Sequence, residues 1–96
     1  MIIHIVMFQF KDEDKKNNLY KAKQMLEDLV ALIDPLISME VGIDFSDSER
    51  SFDLSLYSTF KNKDDLSTYA NHPEHLKVVS FIKEVTSLSR VVDYEK

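Results

Sequence analysis

Apolar and polar residues alternate between two periods along the chain, and each change of period marks an element. Ile2-Ile3-His4-Ile5-Val6-Met7-Phe8-Gln9-Phe10 is dense in β-branched and aromatic types and predicts a strand. Because neighbouring side chains point to opposite sides, one face carries Ile2, His4, Val6, Phe8 and Phe10, and the other Ile3, Ile5, Met7 and Gln9. Both faces are largely apolar, so this strand needs cover on two sides. From Asp12 to Ile33 the period lengthens. Leu19, Ala22, Leu26, Leu29, Val30 and Ile33 recur at helical spacing, with Asp12 or Asp14 expected to cap the start and Pro35 to end the helix. Met39 to Phe45 alternates again, with Met39, Val41, Ile43 and Phe45 on one side. A polar connection, residues 46–51, leads to Phe52–Phe60, which alternates likewise and predicts an antiparallel pair.

Asp64 to Ser87 has helical spacing broken at Pro73, which lacks an amide proton and pushes His72 out of helical angles. The pattern predicts a short helix over Asp64–Ala70 and a second beginning at Pro73, with Val78, Phe81, Ile82 and Val85 as its buried stripe. Ser89–Tyr94 closes the chain as a strand. The order β-α-β-β-α-β predicts an α+β, ferredoxin-like domain over residues 1–96, a four-stranded antiparallel sheet with its helices on one face. The other face would leave Ile3, Ile5 and Met7 in water, although burial favours such side chains by roughly 1.5–3 kcal/mol each. A second copy of the sheet is the simplest cover, and a homodimeric α/β barrel is the expected assembly.

Composition narrows the chemistry. Ninety-six residues suffice for one core, and 44% hydrophobic against 30% charged residues excludes a disordered chain. Twelve basic against 17 acidic residues, a formal charge of −5, opposes binding to nucleic acid or an anionic membrane. The absence of cysteine removes disulfides, thiolate metal sites and cysteine nucleophiles. With no targeting segment or membrane span visible, a cytoplasmic protein is expected.

Three histidines and one tyrosine carry the candidate chemistry. His4 points off a sheet face among Ile2 and Val6, and His75 precedes Val78, Val79 and Ile82 by three, four and seven positions on the inward stripe of the last helix. Tyr69 follows Leu66 by three on the inner face of the short helix. If His4 faces the helices, these groups converge between sheet and helices. An imidazole there can move a proton near neutral pH, and a phenol can hydrogen-bond a carbonyl or its enolate. Tyr69 and His75 are thus the candidate catalytic pair; His4, Val6, Phe8, His72 and Val79 are candidate substrate contacts. Each also has a structural reading: His4 bonded to backbone or water, His72 as a helix cap, Tyr69 as a core ring. The spacing of His72 and His75 with His4 is a weak zinc pattern, and neither a metal nor another cofactor is expected.

The strand His4-Ile5-Val6-Met7-Phe8-Gln9-Phe10-Lys11, Gly42, the stretch Tyr69-Ala70-Asn71-His72-Pro73-Glu74-His75 and the closing Val91-Val92-Asp93-Tyr94 together resemble the stress-responsive α/β-barrel (Dabb) family. The resemblance spans about residues 2–95. It implies a ferredoxin-like subunit dimerising through its sheets. In a plant cyclase of this family, which closes a linear polyketide by cofactor-free aldol condensation, the catalytic tyrosine and histidine correspond to Tyr69 and His75 and two further pocket histidines to His72 and His4. The implied function is binding of a small apolar carbonyl compound, with cofactor-free isomerase- or cyclase-type chemistry. The alternatives are a non-enzymatic ligand-binding or structural dimer linked to stress, and a cofactor-free or haem-handling monooxygenase.

Overall fold

The computed structural model describes all residues, Met1–Lys96. Its elements are β1 (Ile2–Phe10), α1 (Lys15–Leu32), β2 (Ser38–Ile43), β3 (Leu54–Phe60), α2 (Lys63–Asn71), α3 (Pro73–Val85) and β4 (Thr86–Glu95). The four strands form one antiparallel sheet in the order β2-β3-β1-β4. This is the ferredoxin-like arrangement anticipated from the hydrophobic pattern. No helix is long and apolar enough to cross a membrane.

One cluster of 16 buried residues joins the helices to one face of the sheet. Ile2, Val6 and Phe10 enter it from β1, Leu54, Leu56 and Phe60 from β3, and Ala22, Leu26 and Leu29 from α1. The other face has no helix over it. Met7, Tyr57, Val92 and Tyr94 are exposed there, and the strand register places them on the same side. Ile3 departs from expectation. It is only 1% exposed, with Thr59 and the large ring of Tyr94 as its cross-strand partners, whereas Met7 on the same strand is flanked by Ser55 and Arg90.

Several boundaries also differ from the sequence reading. Asp14 adopts a left-handed conformation, φ 49°, so α1 starts at Lys15, and Asp14 makes no side-chain capping bond. Aspartate tolerates that conformation better than most residues, and its carboxylate instead accepts a bond from Asn17. Strand β2 ends at Ile43, leaving Phe45 97% exposed instead of on the buried side. The chain turns there because Asp47 N–H donates to the Asp44 carboxylate, 2.8 Å, forming a local polar turn.

Asp53 fixes the far side of this connection. Its carboxylate accepts from Phe10 N–H at 2.7 Å and pairs with Lys15 at 3.0 Å, while its own N–H donates to Phe8 O. The hydrogen bond to Asp53 raises the Lys15 pKa above its ordinary value, against a smaller opposing effect of burial. One carboxylate thereby ties the end of β1, the start of β3 and the first turn of α1.

In urea denaturation, Leu29→Ala is expected to lower stability by about 2–5 kcal/mol, since the side chain lies wholly in the core. Phe45→Ser should stay within about 0.5 kcal/mol. Equal losses for the two substitutions would contradict this placement.

Candidate functional site

The break between α2 and α3 builds the site. His72 is extended, φ −68° and ψ 137°, as the residue before a proline tends to be, and Pro73 occupies the first turn of α3. The His72 Nδ1 accepts the Glu74 backbone N–H at 3.1 Å, capping α3. At its other end, α2 is capped by Asn62, whose side chain accepts from Asp65 N–H at 2.8 Å. Two short helices therefore meet at a fixed corner. Tyr69 lies one turn before it and His75 one turn after.

Their rings come together at the corner, with centroids 4.3 Å apart and planes 42° from parallel. Phe60 packs on Tyr69 at 5.1 Å, and the His4 ring presents an edge contact to Tyr69 at 6.4 Å. Tyr69 is thus both part of the core and the centre of a cluster that includes two imidazoles. Its hydroxyl forms no hydrogen bond within the protein. Yet no buried side-chain nitrogen or oxygen lacks a partner, so the hydroxyl of this residue, 1% exposed overall, must keep a small accessible surface. The cavity that Tyr69 lines supplies it. Burial also raises the phenol pKa well above its ordinary value, and the group remains a proton donor throughout the neutral range.

The bonds of the imidazoles settle their tautomers. His75 Nδ1 lies 3.0 Å from Ala70 O, and because a carbonyl only accepts, Nδ1 must carry the proton. In the neutral ring Nε2 is then left with a free lone pair. Burial lowers the His75 pKa, the bond to Ala70 opposes that shift, and neighbouring positive charge on His4 or His72 reinforces it. The neutral, basic form is accordingly favoured. His4 is likewise held through Nδ1, whose N–H donates to the Asp93 carboxylate.

A cavity of about 180 Å³ lies between α3 and the helix-side face of the sheet. Tyr69, His75, His4, Val6, Phe8 and Val79 all line it. His72 does not; its ring is committed to the helix cap. No three His, Asp or Glu side chains are grouped so as to hold a metal ion. The cavity also takes in residues not identified from sequence, Leu26, Leu56, Ile82, Lys83, Thr86 and Ser89. Ile82 and Lys83 of α3 continue the stripe from Val79 by three and four positions, and Thr86, the first residue of β4, follows by seven; that period could have revealed them. Asp93 is a different case. It reaches His4 only through the β1–β4 register, 89 positions away in sequence.

With this geometry in place, comparison with known proteins is informative. The family description Stress responsive A/B Barrel Domain matches residues 2–96. One Arabidopsis thaliana protein named for a stress-response A/B barrel domain is 33% identical over 82 residues, covering 82% of this chain and only 30% of that longer relative. A second A. thaliana stress-response A/B barrel domain-containing protein, At5g22580, is 29% identical over 94 residues, covering 95% of this chain and 82% of its own length. A solved structure from Bacteroides fragilis, a dimeric protein of ferredoxin-like fold and unknown function, superposes with a TM-score of 0.91 at 34% identity, over 99% of this chain and 95% of that one. A match of this extent, with relatives that carry the same domain, makes the chain a member of the stress-responsive A/B barrel (Dabb) family.

Proposed function

We propose that this protein binds a small, largely apolar carbonyl compound in the cavity beside α3 and performs cofactor-free proton transfer on it, of the isomerase or cyclase type. The observation that carries this reading is the Tyr69 hydroxyl, unpartnered in the protein and open to a cavity that His75 also lines. In the proposed reaction His75 Nε2 removes a proton from the carbon beside the carbonyl. The C–H electron pair moves into the new carbon–carbon double bond as the carbonyl π pair moves to oxygen, and the Tyr69 hydroxyl donates to that oxygen as its charge grows. The enolate then either takes the proton back from His75 at the far carbon of an adjoining double bond, where the compound has one, or attacks a second carbonyl in the same molecule, whose oxygen takes that proton. Both outcomes are redox-neutral and need no further reactant. His4, held by Asp93, is the second group available to donate or accept a proton.

The assembly proposed with this site is a homodimer joined through the sheet face that carries Met7, Tyr57, Val92 and Tyr94. Its support is the apolar character of that exposed face and the dimeric state named for the B. fragilis protein. Val92→Glu would place a charge in the middle of such a contact. Sedimentation should find the wild type as a dimer and Val92→Glu as a folded monomer; a monomeric wild type would end this part of the proposal.

Exchange of the protons beside the carbonyl of 2-decanone in D₂O, followed by NMR, tests the chemistry. Wild type should accelerate the exchange, and His75→Gln should remove about 10²–10⁴-fold of that acceleration. Tyr69→Phe should lose roughly 10²-fold while keeping stability within about 1 kcal/mol, since the deleted hydroxyl has no protein partner. Binding without any exchange would leave a carrier in place of an enzyme.

Protonation of His75 can be followed without a substrate. Its pKa in the folded protein lies below the ordinary 6.5, so on acidification the unfolded chain takes up the proton first. The associated stability is fully present above about 6.5 and is lost as pH falls through the folded value. Urea titrations across this range should show His75→Gln losing less stability on acidification than wild type. Parallel curves would contradict the lowered pKa.

A further inference from the structure

The cavity holding Tyr69 and His75 has a second end of different chemistry. Helix α3 runs beside β1 so that its N-terminal turn lies near His4, while its C-terminal residue Val85 accepts a bond from Lys11 N–H at 2.8 Å, just past the end of β1. Cavity residues therefore sort by position. His4, Tyr69 and His75 form one end; Val6, Val79 and Ile82 line the middle; Lys83, Thr86 and Ser89 form the other, with Ser89 opposite Phe8 in the β1–β4 register. Lys83 follows His75 by eight positions on the same helix, about 12 Å along its axis.

The charge at that second end is unusual for this molecule. The chain carries 17 acidic residues, yet none lines this cavity, and Lys83 is the one Lys, Arg, Asp or Glu that does. None of the four ion pairs in the structure uses Lys83, a state it shares with most of the chain's 12 Lys and Arg; its place on the cavity wall is what sets it apart. The Ser89 hydroxyl beside it is exposed and has no protein partner. An unpaired cation at the open end of an apolar cavity, with a free hydroxyl alongside, suits a carboxylate that stays close to water while its alkyl chain goes inside.

Building on the acid–base reading above, we infer that the substrate is amphipathic: a carbonyl at Tyr69 and His75, an apolar segment along α3, and a terminal anionic group, a carboxylate, at Lys83. Lys83 is then a specificity-determining residue. It selects oxo acids over neutral ketones and fixes which carbonyl along the chain meets His75. A purely structural role is also open to a lysine in the last turn of a helix, through the helix dipole. That role would affect stability and be indifferent to the ligand's charge.

Calorimetric titration with two matched probes separates these cases. 9-Oxodecanoate and 2-decanone share a methyl ketone and the same methylene chain, and differ only in a terminal carboxylate against a methyl group. The oxo acid is expected to bind wild type about tenfold more tightly at low salt, with the gap narrowing as salt rises. Lys83→Met should abolish that preference by weakening the oxo acid, and Lys77→Met, on the same helix but outside the cavity, should leave it intact. Equal binding of both probes to wild type, or equal weakening of both by Lys83→Met, would overturn the inference. NMR signals of the Tyr69 and His75 rings distinguish the two levels of the argument. Both probes shifting those rings without a charge preference would remove Lys83 from recognition and leave the acid–base site standing. Binding that leaves the rings unmoved, or no binding at all, would overturn both.

Discussion

The arrangement depends on one interruption of the backbone, the His72–Pro73 junction. In an unbroken helix, residues six apart would point about 120° away from each other and lie about 9 Å apart along the axis. Tyr69 and His75 could not then share a wall. The proline stops α2, the preceding residue is forced extended, and α3 restarts at an angle that brings the two rings to 4.3 Å. The local cost of ending and restarting a helix is offset by the His72 ring, which satisfies one of the free amides of α3. His72 thus contributes to the site without touching it.

Much of this was legible in the amino-acid pattern, because the informative signals were local. Strand β1 shows two apolar faces within nine residues, and the helix break is written in a single proline. The positions of Tyr69 and His75 relative to Leu66 and Val78 follow from helical spacing alone. What escaped were features set by contacts across the sheet or by an unusual backbone angle. Asp93 meets His4 only once β4 is zipped to β1 in a particular register. The left-handed Asp14, which delays α1, leaves no trace in the hydrophobic period. Ile3 and Met7 are apolar residues of the same strand face, each between two cross-strand partners; Ile3 has Thr59 and the Tyr94 ring beside it, Met7 has Ser55 and Arg90, and only the register shows that difference.

The electrostatics of the cavity run against those of the chain. A protein with excess negative charge would ordinarily disfavour an anionic ligand, but distance and solvent screening weaken that average field, while groups at the cavity wall act at short range. Both imidazoles are oriented by a bond at Nδ1, one to a carbonyl and one to a carboxylate, and both rings line the cavity. The phenol, made a weaker acid by burial, receives no competing bond.

The burial of Tyr69 reaches beyond its own chemistry. The same ring fills the interior against Phe60 and forms part of the cavity wall, so losing the ring disturbs the fold, whereas losing the hydroxyl alone alters only the cavity. Val79 and Lys83, which line the same cavity from α3, are half-buried and exposed and lie outside the buried cluster. The cavity's shape and charge can therefore vary at those two positions without opening the core that holds the Tyr69 ring in place.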